Sequence, residues 1–175
     1  CATNGYGESL GRELFGIIEK FADYAFTKSH AFGYGLITFQ TAWLKAHHTV
    51  DYFACLLTSV KGNNDRAALY LSDAGANGVV VRTPDINESG VDFAPVAGES
   101  AVSFGLSSIR NVGEGAAALI VAEREASGKF ASFHDLINRV PEQALNKRTL
   151  EALIKAGAFD SIHLDRAALV ASVDH

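Results

Sequence analysis

The sequence predicts a mainly α-helical protein in which two helical parts are joined by a short β-containing connector. Apolar residues recur at three- and four-residue spacing over most of the chain, as in helices with one buried face. The β-branched run Val79–Val81 and the turn residues Asn87–Gly90 interrupt that pattern between residues 76 and 103. The sequence Gly113-Glu114-Gly115 then separates a short helical segment from a longer one, as in a helix-hairpin-helix motif.

Composition limits the class of protein. The chain has 175 residues, 48% of them hydrophobic and 20% charged, which is typical of one globular domain or two small ones. No apolar run approaches the roughly 20 residues of a membrane-spanning helix, and the start of the chain lacks a signal-peptide pattern. Two cysteines form neither a disulfide framework nor a zinc site, so we expect a reducing cytoplasm. The absence of methionine predicts that the chain is a piece of a longer protein.

The net charge of −5 and the pI of about 5.6 argue mildly against a nucleic-acid-binding protein, which usually has a basic surface. They do not exclude binding by a small local surface built from backbone amides.

The first part of the chain begins with a loop over residues 1–7 and a helix from Glu8. One face of that helix is apolar and consists of Leu10, Leu14, Ile17, Ile18 and Phe21. The central stretch Phe26–Leu57 predicts a second helix with a buried stripe that includes Phe32, Leu36, Ile37, Trp43 and Leu44.

We expect Ser29 to cap this second helix, with Lys28 and His30 on either side of the cap. A helix start presents free N–H groups and a partial positive charge, which favour an anion and phosphate in particular. From spacing alone, two solvated surface residues remain the more common explanation for Lys28 and His30.

Two further helices follow. Thr49 is the expected cap of a helix that continues to Val60, and Asn64 or Asp65 is the expected cap of the next helix, which a glycine stop at Gly75–Gly78 ends. Candidate strands follow in the connector at Phe93–Val96 and Ala101–Phe104.

The Gly113-Glu114-Gly115 turn has a specific chemical meaning in a helix-hairpin-helix. Glycine allows backbone N–H groups to approach a phosphate without an intervening Cβ, and such a unit binds the DNA backbone irrespective of base sequence. A simple turn without a ligand is an equally open interpretation.

A second helical unit follows the first. We expect a helix over Phe130–Val140 that Pro141 stops, and another from Asn146 or Lys147 to Gly157. This unit lacks the G-x-G turn, so we expect it to be the degenerate, mainly structural half of a pair, followed by one more helix over His163–Val173. Seven basic and seven acidic residues over 104–162 predict a modest DNA affinity that depends strongly on salt, with Glu114 facing phosphate unfavourably unless it turns away.

The sequence contains no recognisable catalytic arrangement. The six histidines lack zinc-site spacing, and a carboxylate pair able to hold two metal ions for phosphoryl transfer is not evident. Its aspartates Asp23, Asp51, Asp65 and Asp73 have ordinary helix-surface or cap positions. The sequence therefore contains no motif that indicates an independent enzyme.

Several strings together resemble one family. KSHA at 28–31, FQTAWLKAHH at 39–48, GVVVRTPDINESGVDFAPV at 78–96, NVGEG at 111–115 and ALNKRTLEALIKAGAFDSI at 144–162 are similar, in this order, to the family C replicative DNA polymerases of bacteria, the polymerase III alpha subunits. The resemblance covers about Asn4 to Ala168. It departs from the family at Thr27, where Asn is usual, at His48-Thr49, where Tyr-Pro is usual, and at Thr83, where Pro is usual.

The resemblance implies an organisation. Residues 1–75 would be the C-terminal part of the polymerase fingers, 76–103 a short β connector, 104–162 a tandem helix-hairpin-helix DNA-binding domain, and 163–175 the start of a following helix. The parent would be a DNA-directed DNA polymerase whose catalytic aspartates and Mg²⁺ lie in a palm outside this chain. This chain would then bind no cofactor and catalyse nothing alone.

The resemblance also implies partners and binding residues. The partners would be primer–template DNA and the incoming dNTP, with the sliding clamp and other replisome subunits contacting other regions of the parent, and no membrane. The expected nucleotide- and template-binding residues are Lys28, Ser29, His30, Gln40 and Lys45. The expected DNA-backbone-binding residues are Arg110, Asn111, Val112, Gly113, Glu114 and Gly115. The alternative is a non-catalytic helical scaffold for protein partners, derived from a polymerase.

Overall fold

A computed structural model describes residues 2–22 and 27–173 and divides the chain into two compact units, Cys1–Trp43 and Leu44–His175. The helices are α1 (Glu8–Ala22), α2 (Lys28–His47), α3 (Thr49–Ser59), α4 (Asn64–Ala76), α5 (Glu114–Ser127), α6 (Phe133–Arg139), α7 (Lys147–Ala156) and α8 (Arg166–Ser172). Short 3-10 turns lie at Ala2–Asn4, Leu106–Ser108 and Glu142–Ala144. The predicted mainly α fold is confirmed.

The connector forms a small sheet of three strands, β1 (Val80–Val81), β2 (Ala94–Pro95) and β3 (Ala101–Ser103). The strand order is β1-β3-β2, with β1 parallel and β2 antiparallel to β3. The two predicted strands near residues 93–96 and 101–104 are therefore confirmed, and the β-branched run contributes the third.

The second unit contains two hydrophobic cores. The smaller core lies under α3, α4 and the sheet and consists of Phe53, Ala54, Leu57, Ala74, Val79, Phe93 and Val102. The larger core lies among the helices that follow the sheet and includes Leu106, Ile120, Phe130, Leu136, Leu153 and Phe159. The connector contributes to both cores, because Ile86 is buried in the larger one whereas Val79 is buried in the smaller one.

Polar contacts fix the connector to α5. The side-chain amide of Asn87 accepts from the Phe130 N–H at 2.7 Å and donates to the Phe130 carbonyl at 2.9 Å. The Arg124 guanidinium donates to the carbonyls of Ile86 and Ser89 at 3.0 and 2.7 Å. These bonds tie residues 86–89 of the connector to α5 and the segment after it, so this part of the second unit is held in place by long-range contacts.

The predicted buried stripe of α2 is wrong. Phe32, Leu36, Ile37, Trp43 and Leu44 are all exposed, with Phe32 at 80%. The apolar residues of α2 lie around its whole circumference, and a helix of that kind needs cover on all sides. The predicted face of α1 is likewise exposed.

Three predicted caps are also wrong. The helix α2 begins at Lys28, so Ser29 is already inside its first turn and Thr27 precedes it. The Thr49 hydroxyl donates to the Lys45 carbonyl at 2.9 Å instead of capping α3. Asn63, not Asn64 or Asp65, caps α4 by accepting from the Arg66 N–H at 3.1 Å, because the chain becomes extended at Asn63 directly after the left-handed Gly62.

The helices α6 and α8 begin later than predicted, whereas α7 has the predicted bounds. The helix α6 begins at Phe133 instead of Phe130 because Asn87 holds the backbone of Phe130, and Ser132 caps α6 by accepting from the Asp135 N–H. The helix α8 begins at Arg166, after its cap Asp165. The predicted bounds of α7 are confirmed, with Asn146 as its cap and Gly157 in the left-handed conformation at its end. Among the described residues, the helices are not long and apolar enough to cross a membrane.

Candidate nucleic-acid interface

The turn before α5 contains both buried and solvent-exposed residues. Ile109 and Val112 are buried in the larger core, whereas Arg110 and Asn111 between them are exposed. Asn111 has a φ of +71°, in the left-handed region that asparagine tolerates better than most residues. The two apolar anchors and this reversal project the Arg110-Asn111 tip outward at the start of α5.

The N-terminus of α5 is open to solvent. Gly113 occupies the cap position without a capping side chain, so the first amides of α5 lack intrahelical partners. A Cβ added to Gly113 or Gly115 would meet no other atom within 4 Å. The free amides and the helix dipole favour an anion at this surface, and the two glycines leave room for it to approach the backbone.

The charges beside this turn are of both signs. Arg110 is exposed and makes no ion pair or hydrogen bond within residues 2–22 and 27–173. Glu114, the first residue of α5, lies with its Oε2 atom 3.6 Å from Nζ of Lys61, in the turn between α3 and α4. The carboxylate of Glu114 therefore lies in the turn, and the ammonium of Lys61 is its cationic partner.

Lys61 is itself held by two further groups. Its Nζ atom donates to Oδ1 of Asp92 at 2.5 Å and to Oγ of Ser107 at 3.2 Å. The hydrogen bond to Asp92 is the main cause that raises the pKa of Lys61, and Glu114 adds to the increase. The ammonium is therefore charged at neutral pH and has a defined position beside the hairpin.

The second helical unit contacts the turn of the first. Thr149 lies in the first turn of α7, is almost completely buried, and donates from Oγ1 to the Asn111 carbonyl at 3.3 Å. Asn146 caps α7 by accepting from the Thr149 N–H at 3.0 Å. Lys147 and Arg148 are exposed beside this contact. The mainly structural role expected of this second helical unit, residues 130–157, stays a prediction, and the contact with Asn111 supports it.

The residues expected to contact nucleotide or template are distributed along α2. Lys28, Ser29 and His30 are together in the exposed first turn, and the His30 ring packs 4.3 Å from that of Tyr34. Gln40 is exposed three helical turns later, about 18 Å along the axis. The structure thus brings three of the five together and leaves Gln40 apart from them.

Lys45, the fifth of these residues, belongs to the second unit and already has partners there. Its ammonium lies 2.6 Å from Oδ2 of Asp73 and 5.3 Å from the ring centre of Phe53. These contacts join the end of α2 to α4 and α3. Sequence reasoning did not find this structural contact, since residues so far apart in the chain give no local signal of pairing.

Sequence reasoning also missed Lys61 and Thr149. Both act on the hairpin turn from distant segments, and neither belongs to a local motif. The G-x-G signal located the turn, but its supporting residues become evident only from the three-dimensional arrangement. Within the described residues, no cluster of three or more histidine, cysteine or acidic side chains could hold a metal ion.

Known proteins are similar to this chain in the segment that contains the turn and along nearly its whole length. The family model of the helix-hairpin-helix motif matches residues 78–169. The chain is 48% identical over 170 residues to the DNA polymerase III subunit alpha of Thermus aquaticus, and the aligned region covers 97% of this chain and 14% of that protein. It is 47% identical over 167 residues to the protein of the same name from Mycobacterium leprae, covering 95% and 14%, and 41% identical over 171 residues to that from Borreliella burgdorferi, covering 98% and 15%. The chain thus spans about one seventh of the length of these relatives.

Proposed function

The chain belongs to the helix-hairpin-helix family, and on that premise we propose that it is a duplex-binding part of a replicative DNA-directed DNA polymerase. The observation that carries the proposal is the open N-terminus of α5, where Gly113 and Gly115 leave the backbone amides accessible beside Arg110. Such a surface binds phosphate without reading base sequence, which suits an enzyme that must hold any duplex. Similarity along nearly the whole chain to DNA polymerase III alpha subunits supports the same assignment.

The proposed role of the turn is divided among its residues. The amides of Gly113, Glu114 and Gly115 donate to phosphate oxygens, and the Arg110 guanidinium adds a charged contact. Val112 anchors the turn in the core, and Asn111 provides the reversal that exposes Arg110. The module carries no net charge over 104–162, so we expect weak binding with a small number of phosphate contacts.

A second part of the proposal concerns α2. Lys28, Ser29 and His30 lie in its first turn, where free amides and three side chains able to donate favour the triphosphate of an incoming nucleotide or the template backbone. Gln40 is a further exposed contact residue, whereas Lys45 would have to leave Asp73 before it reached a nucleotide. The metal-dependent chemistry, with Mg²⁺, and the contacts to clamp and replisome subunits would belong to other parts of the parent polymerase.

The test of duplex binding uses substitutions that should weaken binding without lowering the stability of the fold. Aspartate is favoured at a helix cap and in the first helical turn, so Gly113→Asp/Gly115→Asp should maintain or increase the stability of α5. The same two carboxylates should repel phosphate from the amides. Binding to a fluorescent primer–template duplex is measured over a salt series, with Gly75→Asp as a control because Gly75 lies in α4 and its added Cβ also meets open space.

We expect the wild-type chain and Gly75→Asp to bind at low salt, with affinity falling as salt rises, and the double variant to lose binding while it remains folded. Equal binding by all three proteins would contradict the role of the α5 N-terminus. Absence of wild-type binding at low salt would contradict the duplex-binding proposal and favour a helical scaffold for protein partners, the candidate that the acidic net charge supports.

A further inference from the structure

A carboxylate lies in the turn that we propose binds phosphate. Glu114 begins α5, where a negative charge stabilises the helix through its dipole but repels an approaching phosphate. Its side chain is 74% exposed, so burial does not remove that charge from the surface. Duplex binding at this turn therefore requires a group that compensates for Glu114.

Lys61 is placed to compensate for it. Its ammonium lies 3.6 Å from the Glu114 carboxylate, and three groups (Glu114, Asp92 and Ser107) surround it. The Lys61 side chain is 25% exposed, so the cation is less accessible to solvent than the carboxylate that it faces.

The surroundings of Lys61 also hold the hairpin to the rest of the second unit. Ser107 lies in the 3-10 turn that leads into the hairpin, and its hydroxyl donates to Asp92 at 3.2 Å. The amide of Ser107 donates to the Val91 carbonyl at 3.0 Å. The ammonium thus has a fixed place relative to Asp92 in the connector and to the 3-10 turn that leads into the hairpin.

We propose that Lys61 is a positioning residue for duplex binding, which offsets part of the charge of Glu114 at the N-terminus of α5 so that DNA phosphate can approach the helix amides. This inference rests on the proposed function of the turn and adds a residue outside the helix-hairpin-helix segment to it. Lys61 acts through Glu114 and does not need to contact DNA.

The experiment is a double-mutant cycle in the complete chain, because a cycle separates the effect of a pair from the effects of its members. Duplex affinity and its salt dependence are measured for wild type, Lys61→Met, Glu114→Gln, the two combined, and Lys61→Arg. Lys129→Met is the matched control, since it removes the same charge from an exposed lysine just beyond the other end of α5, about 20 Å from its start. Thermal unfolding of each variant checks that it is folded.

We expect Lys61→Met to weaken duplex binding by roughly three- to tenfold at low salt, a one-charge effect at close range, and Lys61→Arg to retain it. In the Glu114→Gln background, Lys61→Met should have no further effect on affinity, and Lys129→Met should leave the affinity nearly unchanged.

Three results would overturn the inference. One is wild-type affinity in Lys61→Met. Another is an equal loss in the Glu114→Gln background, which would mean that Lys61 contacts DNA directly or acts through Asp92. The third is an equal loss in Lys129→Met, which would mean that only net charge matters. Absence of binding by the wild-type chain would overturn the proposed function together with this inference, whereas the first three results leave the proposed function intact.

Discussion

The Thr149 hydroxyl donates a 3.3 Å hydrogen bond to the carbonyl oxygen of Asn111, and this bond joins the first turn of α7 to the hairpin that precedes α5. Asn111 is in the left-handed conformation, which costs energy for any residue other than glycine. A bond to its carbonyl from a buried partner helps to hold that conformation. The second helical unit, residues 130–157, therefore stabilises the turn of the first through α7.

Replacing Thr149 by Val should remove this bond while keeping the shape of the side chain. A buried hydrogen bond contributes about 1 kcal/mol net, so we expect a loss of about 1 kcal/mol in the free energy of unfolding. Urea denaturation measures it, with Thr83→Val as the control, since Thr83 is exposed and makes no hydrogen bond within the described part of the chain. An equal effect of the two substitutions would contradict a specific role for the Thr149–Asn111 contact.

Gly105 and Gly75 should respond to alanine in opposite directions. A Cβ at Gly105 would collide with backbone atoms of Asp92 and Phe93, which have little freedom to move because the neighbouring segments are hydrogen-bonded. We expect Gly105→Ala to cost about 3 kcal/mol, as overpacking of a core does. Gly75 lies within α4 with open space around it, so Gly75→Ala should stabilise the protein by up to about 1 kcal/mol. Unfolding free energies of the two variants test the pair, and a stable Gly105→Ala would contradict the close approach.

Acid should weaken the α6 region through Asp135. The backbone N–H of Ala131 and then the guanidinium of Arg139 lower the pKa of this carboxyl. Because the folded-state pKa lies below the unfolded value of about 3.9, the stabilisation is fully present above that value and is lost as pH falls through the folded pKa.

We therefore expect the loss of stability on acidification below about pH 4 to be smaller in Asp135→Asn than in the wild type. Chemical denaturation at a series of pH values measures this difference. Glu142→Gln is the control, because Glu142 is exposed and has no ion pair among residues 2–22 and 27–173. Identical pH profiles for wild type and Asp135→Asn would show that the contacts of Asp135 do not contribute.

Local signals in the sequence were sufficient for some elements and not for others. The sequence predicts Gly157 as the end of α7 because a glycine after an apolar-periodic segment has one common structural meaning, and the structure gives it a φ of +85°. The predicted cap of α4, Asn64 or Asp65, is one or two positions too late because Asn63, Asn64 and Asp65 are all good caps by composition, and only the conformation at Gly62 selects among them.

The candidate interface divides in the same way. Gly113 and Gly115 were found from spacing because a tight turn before a helix is a local event. Lys61 was not found, since its relation to Glu114 depends on how α3, the connector and α5 pack together. The exposure of Phe32 and Trp43 was not expected either, because periodicity indicates which faces are apolar but not whether this chain covers them.

Because Phe32 and Trp43 are exposed, we expect residues 44–175 to remain folded when they are expressed alone. Both hydrophobic cores consist of residues from Val50 onward, and the described apolar side chains of α1, such as Phe21 at 71% exposure, are outside them. Removing residues 1–43 should therefore leave the urea midpoint and the m-value of the second unit unchanged, since both hydrophobic cores remain complete.

The same deletion should reduce self-association, because large exposed apolar surfaces drive aggregation. Phe32 and Phe39 are 80% and 68% exposed in the full chain and are absent from the shorter one. Light scattering and sedimentation compare the two proteins at equal concentration, and Phe32→Ser/Phe39→Ser in the full chain is the control that reduces the apolar surface without deletion. A lower urea midpoint for residues 44–175 would mean that the first unit contributes to the stability of the second, and equal self-association would mean that the exposed apolar residues of α2 are not its cause.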